Sequence, residues 1–374
     1  MEIKLITTNV TTSGGGGVGF KFIGNIETPK EILMRGTTAV PNLTVKFTID
    51  GVETYVTSND KCVFEITEGN KELTSCENFF SYLNDALATI DEFNYDTDKV
   101  TTMSRMFYGC SELTSIPELN TSNVTNMEQM FTSCSNLAII PLMDTSNVTD
   151  MYGMFTSCSN LATIPLMDTS SVINMAYMFD NCSNLTTIPS LNTSNVTNMA
   201  RMFGSCSSLA TIPELNTSNV TKMKSMFGSC SNLTTIPSLN TSKVTIMEEM
   251  FDSCSSLATI PELNTSNVTN MVSMFKCCSN LTTIPLLDTS KVTGMGSMFR
   301  GCSNLTTLEG FKGLKTDLDL SFSTKLTHES LMNVINYAAN VTSSRKTLTL
   351  KSTNLAKLSD EEKAIATNKG WTLK

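Results

Sequence analysis

Histidine and tryptophan each occur once in the 374 residues, as His328 and Trp371. A lone imidazole excludes multi-histidine metal sites and leaves one candidate for general-base work, which needs a nucleophile or metal held beside it. His328 falls in the first turn of a predicted helix, next to Glu329, and that setting supplies neither. Cations are scarce too: 26 Lys plus Arg face 35 Asp plus Glu, for a net charge of -9. Phosphate backbones are bound by basic faces, so no nucleic-acid partner is expected. Nowhere do about 18 apolar residues run together, so no membrane insertion is expected either. The opening MEIKLITTNVTTSGGGG has no signal-peptide-like apolar stretch and no lipobox-like Cys, which predicts a route to any extracellular site other than secretion.

What the chain has is repetition. Phe107, Phe131, Phe155, Phe179, Phe203, Phe227, Phe251, Phe275 and Phe299 are spaced 24 residues apart, and a Cys follows each Phe by three, from Cys110 to Cys302. A fixed period of this length, without insertions, predicts a solenoid whose coils share one core. Within a coil, LTTIPSL (Leu185 to Leu191) reads as a short strand closed by Pro189, which has no N–H to donate. NTSNVTNM then reads as Asx and Ser/Thr turns leading to a helix N-cap. NMARMFGSC puts Met199, Met202, Phe203 and Cys206 at spacings of three, one and three, which predicts one face of a short helix. The expected fold is therefore an α/β solenoid, with parallel strands about 4.8 Å apart on one side and short helices on the other.

The repeated columns invite sharper readings. Nine cysteines in register are read as buried reduced thiols, because the strand spacing exceeds the roughly 3.8 Å between Cβ atoms that a disulfide prefers. No metal is expected: zinc sites use paired Cys-x-x-Cys or His, and only Cys277 and Cys278 are close in sequence. Whether Cys62 pairs with Cys76 stays open. The eighteen in-phase methionines are core, and the Asp/Asn column from Asp96 to Asp288 caps turns rather than holding calcium. Exposed positions vary most on the predicted helix, as in Glu128-Gln129, Tyr152-Gly153, Lys224-Ser225 and Glu248-Glu249. The strand-side column Thr163, Thr187, Thr211, Thr235, Thr259 and Thr283 varies little, and it is the candidate binding ladder for a repetitive ligand such as a surface polysaccharide, by multivalency. No catalytic residue and no cofactor are expected.

LNTSNVTNMARMFGSCSSLATIP resembles the BspA-like leucine-rich repeats, in the variant built on D/N-T-S-x-V-T-x-M-x-x-M-F-x-x-C-x-x-L. The resemblance covers about Asp96 to Leu308. One departure is that Leu or Met, as at Leu119 and Met143, stands where the family often has Trp or Phe. The resemblance implies a curved repeat scaffold used for binding and adhesion in surface proteins of bacteria and their phages.

The ends differ in texture. Residues 1–75 alternate apolar with polar residues between Gly, Asn and Asp turns and read as a small β domain; its Ser13 to Gly19 stretch reads as a hairpin loop or hinge, not a phosphate loop. Residues 76–104 read as a helix plus strand forming a degenerate first coil, 105–308 as the array, and 309–374 as a capping region. In the last, Thr327 caps one helix, Ser359 and Glu362 form a capping box, and Trp371 packs in the final strand layer. The expected function is non-enzymatic: a phage virion protein whose β domain docks on other virion proteins or on copies of itself, while the solenoid touches a host surface protein or polysaccharide. A bacterial cell-surface adhesin is the alternative.

Overall fold

The computed structural model describes residues 31–49, 52–67, 69–81, 83 and 86–374. The expected strands before residue 31 and the glycine loop at Ser13 to Gly19 lie outside these. Five strands open the described chain: β1 (Met34–Thr38), β2 (Thr44–Ile49), β3 (Val52–Thr57), β4 (Val63–Ile66) and β5 (Leu87–Phe93). β2 and β3 form an antiparallel hairpin, and β1 lies between β4 and β5, antiparallel to both. The boundary expected near residue 75 therefore crosses a sheet, because β5 comes from the predicted cap region. Among the described residues no helix precedes β5. Residues 77–81 are turns, yet they do act as a first coil: the Phe80 ring stacks on Phe107 at 4.9 Å and 7°.

The array stacks in register through residues 124 to 134 and their equivalents, but not as helices. Met127, Gln129, Phe131 and Ser133 donate their N–H groups to Asp150, Tyr152, Met154 and Thr156 of the next coil, at 2.7–3.0 Å. The alternate residues Met130, Thr132 and Cys134 donate to carbonyls three residues back, at 3.0–3.3 Å. The segment is a run of linked β-turns, with Gln129 (φ 54°) and Ser133 (φ 63°) left-handed. The same two positions are left-handed in every coil from Arg105 and Gly109 to Ser297 and Gly301. The predicted helix is thus corrected. Apolar spacings of three, one and three suit successive turns as well as a helix, and the turns leave every second N–H free to bind the neighbouring coil, which a helix would not.

The predicted strand layer is corrected in extent. Parallel two-residue strands form only at the C-terminal end, where β6 (Thr283–Ile284) pairs with β8 (Thr307–Leu308) and β7 (Leu287–Asp288) with β9 (Phe311–Lys312). This is the coil in which Glu309 replaces the repeated Pro, and its N–H donates to Ile284 O at 3.1 Å. Elsewhere the Pro removes that donor. A column of parallel bridges runs instead from Thr102 and Asn126 to Gly294, through a segment expected to be turn.

The columns inside the stack are buried as expected. Neighbouring Phe rings from Phe107 to Phe299 stack at 5.4–5.8 Å within 15° of parallel, wider than a strand spacing. Both Met columns and the nine cysteines are buried. Each thiol donates to the Phe carbonyl one coil back, as Cys134 Sγ does to Phe107 O at 3.0 Å. Cys62 is a free thiol, so it does not pair with Cys76. The Asp/Asn column makes Asx turns, with Asn120 Oδ1 accepting from Ser122 N–H and Asp144 Oδ1 from Ser146 N–H. The Thr beside it is buried and ties coils together: Thr121 Oγ1 donates to Asp144 O at 2.8 Å.

The cap follows the predicted order, with β10 (Leu318–Leu320), α1 (His328–Tyr337), β11 (Lys346–Leu350), a short α2 (Ser352–Leu355), α3 (Asp360–Asn368) and β12 (Trp371–Leu373). β10, β11 and β12 are parallel, Thr327 caps α1, and Ser359 with Glu362 forms the capping box of α3. Trp371 is buried, and its Nε1 donates to Ala339 O.

Candidate functional site

Thr163, Thr187, Thr211, Thr235 and Thr259 form an exposed column along the strand side, and Thr283 is half-buried within β6. Nothing converges on them. They carry one side-chain type at a fixed pitch, and the surface beside them departs from it mainly where Ile139, Leu142 and Leu166 stand exposed.

The turn side is where the coils differ, at the left-handed positions and the residue before each. Over most of the array these positions hold small or paired polar groups. In the middle they assemble something else. The Tyr152 and Tyr177 rings meet at 5.4 Å, and the Arg201 guanidinium lies 5.8 Å from the Tyr177 ring centre. Arg201 Nη2 and Nε donate to Asp180 Oδ1 and Oδ2 at 3.0 and 3.3 Å. Asp180 is 8% exposed. Burial pushes its carboxyl above the ordinary range, and the bond and charge of Arg201 oppose that shift.

Beside this cluster the column containing Thr132 and Asp180 falls to glycine twice, at Gly204 and Gly228. The Asp180 carboxylate fills the space over Gly204, while beside Gly228 a cleft of about 100 Å³ is bounded by Arg201, Ser205, Ser225, Gly228, Glu249 and Asp252. Ser225 Oγ donates to Glu249 Oε2 at 3.0 Å, and Asp252 is held by Lys276 at 3.1 Å. The bond to Asp252 raises the Lys276 ammonium. The result is a small polar hollow walled by one cation, Arg201, and two carboxylates, Glu249 and Asp252, with the Tyr177 ring 5.8 Å from the guanidinium and Tyr152 against Tyr177. Such a set can stack on a ring face, and it can donate to and accept from hydroxyls. The cleft contains no imidazole: His328 lies in the cap, with Nε2 2.9 Å from Glu362 Oε1 rather than against Glu329.

The sequence reading marked this side as variable but placed the binding ladder on the other one. The available signal was the pair of consecutive glycines in one column next to Tyr and Arg in successive coils. Reading it required knowing that the two columns are neighbours in space.

A family model described as "Mycoplasma protein of unknown function, DUF285" matches residues 74–163, 138–236 and 231–315. No curated protein matches. Among solved structures, the chain is similar to a T. pallidum leucine-rich repeat protein, with 18% identity, 50% of this chain and 84% of that chain covered, and a TM-score of 0.34. It is also similar to the plant peptide hormone receptor RGFR1 in complex with RGF2, with 12% identity, 71% of this chain and 48% of that chain covered, and a TM-score of 0.24.

Proposed function

Starting from the chain's membership of the DUF285 family of unknown function, we propose that it is a non-enzymatic attachment protein of leucine-rich-repeat-like type. Its solenoid presents the turn-side cleft around Tyr177 and Arg201 to a host-surface polysaccharide. The observation that carries this reading is the assembly of Tyr152, Tyr177, Arg201, Glu249 and Asp252 at one place on an otherwise repetitive surface. Ring stacking and paired donors and acceptors suit a polyhydroxyl ligand, and a polymer with regular spacing would gain from the parallel columns along the array. The strand-side ladder from Thr163 to Thr283 serves in this reading as a secondary contact surface.

The setting belongs to the same proposal: a phage virion, with a bacterial cell surface as the alternative. An anchoring role for the N-terminal unit is supported by the β2–β3 hairpin, which has no third strand among the described residues and exposes Val52 and Tyr55. The test is binding of the purified chain to polysaccharides from candidate host surfaces. Tyr177→Ala and Arg201→Ala should each lower affinity about tenfold, the size of one lost stacking or charge-assisted contact. Unchanged affinity in both variants would remove the cleft from the reading. Detection of the chain in purified virions, or alternatively on intact bacteria, decides the setting.

A further inference from the structure

A second cleft, of about 450 Å³, lies where the last coil of the array meets the cap. Its apolar floor is Val292 and Val341, both buried. Around that floor stand Lys315, Lys346, Asn340, Ser343, Ser344 and Thr316. In a chain of net charge -9, two ammonium groups meet here with no carboxylate in the wall. Neither lysine makes an ion pair among the described residues, whereas the neighbouring Lys312 is held by Asp288 at 3.2 Å. The carboxylate next in sequence, Asp317, uses Oδ1 to accept from Thr347 N–H at 2.7 Å.

The remaining polar groups are donors too. Asn340 Oδ1 already accepts from the Thr342 N–H and hydroxyl, at 3.1 and 2.9 Å, which leaves its Nδ2 to offer. The turn closed by Ser344 N–H on Val341 O holds the Ser343 and Ser344 hydroxyls at the lip. Thr316 Oγ1 is buried with no hydrogen-bond partner among the described residues.

We propose that this cleft binds a phosphate group. Two ammoniums, an amide and hydroxyls match a ligand made only of acceptors. Lysines act as point charges suited to a tetrahedral oxyanion, whereas a planar carboxylate is better met by the fork of an arginine. The volume falls in the range of about 300–1,000 Å³ typical of small-molecule sites, so the phosphate comes with a carrier, as in a polyol phosphodiester. This site is separate from the turn-side cleft and stands or falls without it.

The experiment is titration calorimetry of the full chain with polyglycerol phosphate, with inorganic phosphate and with neutral dextran, at low and high salt. Polyglycerol phosphate should bind, weaken as salt rises, and lose about tenfold or more in affinity in Lys315→Gln and in Lys346→Gln, with recovery in the Lys→Arg variants. Lys315 is exposed and Lys346 half-buried, so a matching thermal melt confirms that each variant folds. Lysine-dependent binding of inorganic phosphate equal to that of the polymer upholds the phosphate site and identifies the free ion as its source. Absence of heat with either phosphate probe, binding unaffected by both Gln substitutions, or equal binding of dextran overturns the proposal.

Discussion

A β-carbon at Gly204 would lie 2.4 Å from Asp180 Oδ1, so the carboxylate of one coil occupies the space above the glycine of the next. Asp180 can turn toward Arg201 only because position 204 has no side chain. Gly204→Ala should therefore destabilise the fold by about 1–3 kcal/mol through overpacking, and should loosen Arg201 from Asp180. In Asp180→Ala the same substitution should cost much less, a non-additivity that denaturant melts of the four proteins would measure. Equal costs in both backgrounds would mean that the two residues do not share the space.

The left-handed backbone at Ser133 (φ 63°) gives the turn-run fold a distinctive signature. A β-branched residue is strained there, while glycine adopts the conformation freely. Ser133→Val should lower stability by about 1–3 kcal/mol, and Ser133→Gly should leave it equal or slightly higher. A helix would show a different pattern, since glycine within it costs about 1 kcal/mol. A glycine variant that melts well below the parent would restore the helical reading.

Burial raises the array thiols: Cys182 to about 12, and Cys134 well above its ordinary value. Alkylation at pH 8 without denaturant should label Cys277, which is exposed, rapidly and the array column slowly. The linkage has a definite sign. The unfolded chain loses these protons near pH 9 while the folded chain holds them, so their contribution is complete below pH 9 and is lost as pH rises toward 12. Cys182→Ala should flatten the fall of stability over that window, and an unaltered slope would show that the thiol is not protected.

Glu309 is the test of why strands form at one end only. Its N–H donates to Ile284 O at 3.1 Å, where every earlier coil has Pro. Glu309→Pro should remove that bond and the pairing of β8 with β6, read as faster amide exchange at Thr307, whose N–H donates to Thr282 O. Unchanged protection there would assign the pairing to the cap instead.

Local chemistry settled a good deal in this chain. The 24-residue period determined the stack, the burial of Phe, Met and Cys, and the Asx turns, because identical coils in register must place identical residues together. Caps such as Thr327 and the Ser359 with Glu362 box were equally legible, since a cap is completed within three residues. The direction of the backbone hydrogen bonds was not. A spacing of three apolar residues fits a helix and a chain of turns alike, and the choice rests on where each N–H finds its acceptor, which here is a carbonyl 23 residues away. The turn-side cleft is a second such case. Tyr152, Tyr177, Arg201, Gly228 and Asp252 are ordinary residues along the chain, and only stacking of successive coils makes them neighbours.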